Sequence, residues 1–474
     1  MMNNDDFRKY AHEFADWMAD YYGQVEKYPV KSPVKPREIY DRIPDSPPVK
    51  GVPMDRIFND FKDIILPGIT HWQSPNYFAY FTANTSYPSI LAEMLTAAMG
   101  AQCMIWDTSP AAAELEEKMM NWLREMLGLP ETFEGVIQDT GSTATLVALL
   151  TAREKLTGFS VNTRGLATSP GLRAYASPEA HSSIDKAVRM AGLGQENLVK
   201  IDTDQSLAMK PEALKTAICS DLDNGLKPLF VMAALGTTGT LAIDPLESIA
   251  EICKEYGVWL HVDAAYAGTA LVLPEYRHLI SGIEHADSFY FNPHKWMFTN
   301  FDCCAYFVRD KEALIRTFEI LPEYLKTRSH GMVNDYRDWG IQLGRRFRAL
   351  KLWFMIRDFG VEGIREKVEF HISLARDLAD RIRQSRYFGL FEPQHLTLVC
   401  FRFRPQGVDL PEQLNELNLK LLHKVNETGK VFLTHTKISG LVTLRMVTSQ
   451  TNIRKDNIDQ AWKLLNEAAS EMSL

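Results

Sequence analysis

The sequence predicts an α/β protein: a mainly parallel β-sheet in a large central domain, preceded by a helical arm and followed by a small α+β domain. Three observations carry this. Between about residues 85 and 310, short apolar runs alternate with helical segments, the pattern of a sheet covered on both faces. Before that region the chain holds an aromatic helical stripe and then a run of prolines, with no core of its own. After it, long helices and strands follow one another without the central alternation, and 474 residues are too many for a single core.

Residues 5–22 carry Phe7, Tyr10, Ala11, Phe14, Trp17, Met18 and Tyr21 at helical spacing. Seven prolines between Pro29 and Pro53 exclude a regular element there, and a second helix follows at 54–66. Residues 1–84 are therefore expected to pack on another domain or a second subunit. Residues 85–350 hold helices at 88–101, 110–127 and 143–156. Strands are expected at 134–138, 173–176, 228–233, 258–263, 287–291 and 304–308. Residues 351–474 make the small domain, entered by a long helix over 346–385 with a break near Gly360. Strand 396–404, helix 411–427, strands 430–436 and 440–447 and helix 454–472 complete it.

Bulk properties narrow the function. Net charge is −8 and no long Lys/Arg block exists, which argues against nucleic acid as a partner. The six cysteines are scattered without C-x-x-C spacing, so no disulfide framework and no metal site is expected. The first residues, MMNNDDFRKYAHEF, lack the apolar stretch of a secretory signal. The longest nearly apolar runs, such as PLFVMAALG at 228–236, are far too short to span a membrane. A cytoplasmic protein acting on a small molecule is expected, with no membrane partner.

Five segments carry chemistry, and each follows a strand. Ligands of such sheets gather at the carboxyl ends of strands, so all five fall on one edge. Asn292-Pro293-His294-Lys295-Trp296 puts a lysine at a strand end, where partial desolvation makes a nucleophilic amine able to bond an aldehyde cofactor. The plain alternative is a surface lysine near a turn. His261-Val262-Asp263 ends a strand in a carboxylate that could keep a cofactor ring nitrogen protonated, or could simply cap a turn. Thr140-Gly141-Ser142-Thr143 opens a helix with free N–H groups and hydroxyls, a phosphate site that is also a common helix start. His181, after strand RAYA, could stack on an aromatic ring or be structural. Thr237, in Leu235-Gly236-Thr237-Thr238-Gly239-Thr240, lies in a turn of small residues that permits close approach of a ligand.

With these residues the chain resembles the group II pyridoxal 5′-phosphate-dependent decarboxylases, most closely the aromatic-L-amino-acid decarboxylases. The resemblance runs from about residue 7 to the end, through HWQSPNYFAYF (71–81), TSPAAAELE (108–116), HVDAAYAG (261–268), FNPHKW (291–296) and LGRRFRALKLW (343–353). It implies the type I, aspartate aminotransferase-like fold of pyridoxal phosphate-dependent transferases. It implies that Lys295 holds the cofactor covalently, Asp263 pairs with its ring nitrogen and His181 stacks on the ring. It further implies phosphate contacts from Gly141, Ser142, Asn292 and His294, with Thr237 nearby. Trp72, Tyr80 and Phe81 would line the substrate side. The family works as a homodimer with exchanged N-terminal arms, and its reaction turns an aromatic amino acid into an arylalkylamine and CO2.

Tyr324 lies in Pro322-Glu323-Tyr324-Leu325-Lys326-Thr327-Arg328-Ser329-His330-Gly331, a polar segment without helix or strand period that reads as a lid. The matching tyrosine of the family donates the proton to Cα, and relatives that make aldehydes carry Phe there. Two departures stand out. Phe81-Thr82-Ala83 replaces the family's Phe-Pro-Thr, and Gln102-Cys103-Met104-Ile105 replaces a more apolar, Phe-containing stretch expected to reach the substrate pocket of the partner subunit. Gln102 and Met104 are therefore counted with the substrate-side residues. So is Gly344, which matches the decarboxylases of bulky aromatic substrates, whereas the histidine-specific branch has Ser.

Overall fold

The computed structural model describes residues 2–320 and 332–473. Two compact units emerge: Met1–Thr82 with Leu374–Phe391 and Val399–Leu474, and Ala83–Ser373 with Glu392–Leu398.

The second unit is built on a seven-stranded sheet. Its strands are β1 (Glu134–Gln138), β2 (Leu172–Ala176), β3 (Leu198–Lys200), β4 (Lys227–Ala234), β5 (Trp259–Asp263), β6 (Ser288–Phe291) and β7 (Cys304–Val308), in the order β1-β7-β6-β5-β4-β2-β3. Only β7 runs against its neighbours. The six expected strands are all present, with ends within one residue of the expectation. β3 was not expected, because three residues at a sheet edge show no alternation to read. β5 is buried along its whole length and β4 from Pro228 onward, because both their faces are covered.

Along the chain, α1 (Asn4–Gln24) belongs to the first unit, and α2 (Tyr87–Met99), α3 (Pro110–Leu127) and α4 (Gly141–Leu156) are among the helices of the second. α4 begins at Gly141, two residues before the expected start. Thr140 caps it, its side chain accepting a hydrogen bond from the Thr143 N–H, so Gly141 and Ser142 form the first turn. Ala144, Val147 and Ala148 of α4 share one core with Tyr290, Cys304 and Tyr306 of the sheet. α5 (Arg348–Arg383) breaks at Gly360, whose φ of 65° only glycine adopts freely, as expected.

In the first unit, α1 is capped by Asn3. Its stripe meets the segment that follows the prolines: Phe14 packs on Phe58 at 4.6 Å, and Trp17 meets Phe61 edge-on at 5.3 Å. Even so, no residue of α1 is buried. The expected helix at 54–66 is regular only over Met54–Asp60 and then widens into a π turn, Phe61–Ile65. One short helix, Glu38–Arg42, interrupts the proline-rich stretch.

The small sheet of this unit has the order β10-β11-β9-β8, with β8 (Phe388–Leu390), β9 (Leu398–Phe403), β10 (Thr434–Ile438) and β11 (Leu441–Val447). β8, again three residues, was not expected. β10 starts later than expected because Phe432 pairs elsewhere: its carbonyl accepts from Phe78 N–H at 2.9 Å, and its N–H donates to Asn76 at 3.2 Å. Helices α6 (Pro411–Glu427) and α7 (Lys455–Met472) follow the sequence expectation closely.

Candidate active site

The carboxyl ends of β1, β2, β4, β5 and β6 share one edge of the sheet. β7 starts at that edge, Cys304 pairing with Gln138. The turns carrying Gly141, His181, Thr237, Asp263 and Lys295 therefore lie along one rim, as the strand-end rule requires.

Lys295 sits in a single helical turn, Pro293–Trp296, directly after β6, with its N–H donating to the Asn292 carbonyl at 2.8 Å. Burial lowers the pKa of its amine, against opposing pulls from Asp263 and Cys304. A lysine so tuned is a better nucleophile than a solvated one. Asp263 ends β5, buried, with its Oδ1 accepting from the Ala265 N–H at 3.0 Å. Behind it, His261 bonds its Nδ1 to the Ser288 hydroxyl at 2.8 Å and stacks on Tyr290. Burial drives the His261 pKa down to about 4.

His181 accepts from the Ser183 N–H at its Nδ1, 3.1 Å away, so the neutral ring carries its proton on Nε2. Desolvation lowers its pKa; Asp263 pulls it upward and Lys295 downward. His294 is buried, and its Nδ1 accepts from the Cys303 N–H at 2.9 Å. Burial and then Lys295 push it to about 3, so it too is neutral with an Nε2–H donor.

At the opposite end of this group the first turn of α4 offers the N–H groups of Gly141 and Ser142, which the Thr140 cap does not use. Two buried polar atoms nearby in the fold, Asn292 Oδ1 and Ser177 Oγ, have no hydrogen-bond partner among the described residues. Each therefore has hydrogen-bonding capacity left for a ligand. A helix N-terminus, neutral imidazole donors, an activated lysine and a buried carboxylate form a donor set that fits a phosphorylated aldehyde on a protonatable ring. Thr237 ties its own turn, its hydroxyl oxygen accepting from the Ala242 N–H at 3.1 Å.

The substrate-side residues fall into separate groups. In the first unit Trp72 stacks on Tyr77 at 4.6 Å and on Tyr80 at 6.0 Å, and the Arg445 guanidinium lies 5.5 Å from the Phe81 ring. In the second unit Gln102 and Gly344 meet: a Cβ on Gly344 would stand 3.3 Å from Gln102 Nε2. Half-buried Met104 accepts at its carbonyl from the Arg337 N–H at 3.0 Å. Tyr324 and its segment lie outside the described residues. Sequence reasoning missed Tyr290 and Ser177. The signal for Tyr290 was its place two residues before Asn292 on β6, which sets it on one face of the strand with Ser288.

The strand order, the lysine after β6 and the carboxylate ending β5 define a pyridoxal phosphate-dependent enzyme of the type I, aspartate aminotransferase-like fold. Residues 36–404 match the pyridoxal-dependent decarboxylase conserved domain. The chain belongs to that family, within the group II branch of the aromatic amino acid decarboxylases, and is a carboxy-lyase that uses pyridoxal 5′-phosphate. It is 39% identical to a tyrosine decarboxylase of Papaver somniferum, covering 98% of this chain and 95% of the relative. It is 41% identical to a phenylacetaldehyde synthase of Arabidopsis thaliana, covering 99% and 97%. Among solved structures, the Oryza sativa TDC crystallised with PLP and tryptamine superposes with a TM-score of 0.97 at 36% identity, covering 100% of this chain and 99% of that one. Among the described residues no group of three or more His, Cys, Asp or Glu is placed to hold a metal, and no helix is long and apolar enough to cross a membrane.

Proposed function

We propose that this protein decarboxylates an aromatic L-amino acid – tryptophan, phenylalanine, tyrosine or DOPA – to the arylalkylamine and CO2. The observation that carries this reading is the rim itself, where a desolvated lysine, a buried strand-end carboxylate and a helix N-terminus lie on one sheet edge. Bound at this rim, pyridoxal phosphate supplies the electron sink that lets an amino acid lose its carboxylate.

The residues do the rest. Lys295 binds the aldehyde with an amine that burial keeps reactive. Asp263 holds a proton on the ring nitrogen. His181 covers a face of the ring. The N–H groups of Gly141 and Ser142, with Asn292 and the Nε2–H of His294, hold the phosphate. Trp72, Tyr80 and Phe81 of the first unit are assigned to the substrate side, as, separately, are Gln102, Met104 and Gly344 of the second. Tyr324 delivers a proton to the substrate Cα.

The tyrosine at 324 favours amine over aldehyde as the product. A second reading, aldehyde formation, is supported by the phenylacetaldehyde synthase of Arabidopsis thaliana being as similar as the decarboxylases are. Incubating the purified protein with pyridoxal phosphate and a panel of amino acids, and measuring CO2, amine and aldehyde, separates the two. CO2 with equimolar amine supports the first reading. Aldehyde as the main product contradicts it.

The working form is a homodimer. α2 exposes Tyr87, Leu91, Met94, Leu95 and Met99 along one face, and contiguous exposed apolar surface of this kind marks an interaction site. The arm 1–84 docks on the partner, in keeping with an aromatic helix that buries no residue of its own.

A further inference from the structure

We propose that Tyr290 is a positioning residue that ties the two ends of the cofactor cradle together, its phenol filling the space left by Gly141 at the start of α4 while lying beside the Asp263 carboxylate. The inference rests on Gly141 and Asp263 being the phosphate-end and ring-nitrogen-end groups.

Tyr290 stands opposite Asp263 in the parallel register of β5 and β6, and its carbonyl accepts from the Ala264 N–H at 3.0 Å. Its ring is fully buried and lies parallel to that of His261, 5.4 Å between centroids. A Cβ built on Gly141 would stand 2.5 Å from Tyr290 Cε2 and 2.9 Å from its hydroxyl oxygen. Atoms do not approach so closely, so the first residue of α4 has no side chain because the phenol occupies its place. One turn on, the Thr145 hydroxyl donates to the Gly141 carbonyl at 2.9 Å and holds that turn against the ring.

Burial and the nearby Asp263 carboxylate keep the phenol protonated. A protonated phenol on the residue opposite Asp263 in the strand register can donate to that carboxylate, beside the Ala265 N–H it already accepts. Two such donors would fix the carboxylate's rotation before the cofactor arrives. The ring that supplies one of them also sets how close α4 comes to the sheet.

A core tyrosine with no such role would contribute to folding alone. The test uses Tyr290→Phe, which keeps the ring and removes the hydroxyl, and Gly141→Ala, which keeps the hydroxyl and crowds the ring. For each, the dissociation constant of pyridoxal phosphate is measured by absorbance titration, and melting is followed with and without the cofactor. The expected result for Tyr290→Phe is a dissociation constant raised about tenfold or more, the scale of a lost hydrogen bond to a charge, with apo melting near that of the parent. Gly141→Ala should weaken cofactor binding as well, and the double variant should lose less than the product of the two effects, because both act through one ring. Tyr290→Phe with parent cofactor affinity, or fully multiplicative effects, would overturn the proposal. A parent protein whose spectrum does not change on adding pyridoxal phosphate would sink the reading of the site itself, and the proposal with it.

Discussion

The side-chain oxygen of Gln102 accepts a hydrogen bond from the Arg345 backbone N–H at 2.8 Å. The backbone of the next residue returns the contact, Cys103 N–H donating to the Arg345 carbonyl at 3.0 Å. Gln102 thus clamps the segment that holds Gly344, rather than presenting its carbonyl oxygen to a substrate.

A first prediction concerns this clamp. Gln102→Ile removes the acceptor and places branched carbons near Gly344. One pocket group is worth roughly 1–3 kcal/mol of discrimination, so the ratios of kcat/KM among tryptophan, phenylalanine, tyrosine and DOPA should shift by about tenfold to a few hundredfold. Identical ratios in parent and variant would mean that the clamp has no part in selecting substrates.

Acid stability gives a second. His261 and His294 are neutral in the folded protein, with pKa values near 4 and near 3, well below the ordinary imidazole value. Below about pH 6.5 the unfolded chain takes up protons that the folded chain refuses. The stability they leave intact above that pH is therefore lost as pH falls, by up to about 1.4 kcal/mol per pH unit for each ring. The apoprotein should melt lower at pH 5 than at pH 7.5, and His261→Phe should shrink that difference. An equal difference in parent and variant would show that His261 is charged in the fold.

A third is the assembly. Light scattering should give twice the 53.9 kDa chain mass. Leu91→Glu with Leu95→Glu, on the exposed face of α2, should drive the protein toward monomer and reduce turnover together. A fully active monomer would refute the dimer.

The fate of the reaction is a fourth. Tyr324→Phe keeps the ring but removes the proposed donor to Cα. The variant should still release CO2, while its product moves from amine to aldehyde, with ammonia and hydrogen peroxide formed as dissolved O2 is consumed. Amine at the parent rate without peroxide would assign the proton to another group.

Much of this was legible in the chain. The strand ends at Gln138, Ala176, Asp263 and Phe291 could be read because apolar runs stop there at residues with chemistry to offer. The turns after them could be assigned to one edge before any coordinates, since a mainly parallel sheet allows little else. What could not be read was pairing. β3 and β8 are too short for any period, and Phe432 left its expected strand for a bridge to Tyr77 that no local pattern announces. The same limit hid Tyr290 from view. Its meaning depends on Gly141, far away in sequence and in contact only once α4 lies on the sheet. Gln102 was read as a departure facing substrate, and its bond to Arg345 depends on a contact between distant segments.

The most direct measurement compares the parent protein with Lys295→Ala, each supplied with pyridoxal phosphate and an aromatic amino acid panel, with CO2 and amine followed together. The parent should release CO2 and amine in equal amounts from at least one aromatic substrate. Lys295→Ala should fold, as a site lysine adds little to the core, and should lose turnover by orders of magnitude. Parent-like release of CO2 by Lys295→Ala would contradict the assignment of this rim as the catalytic centre.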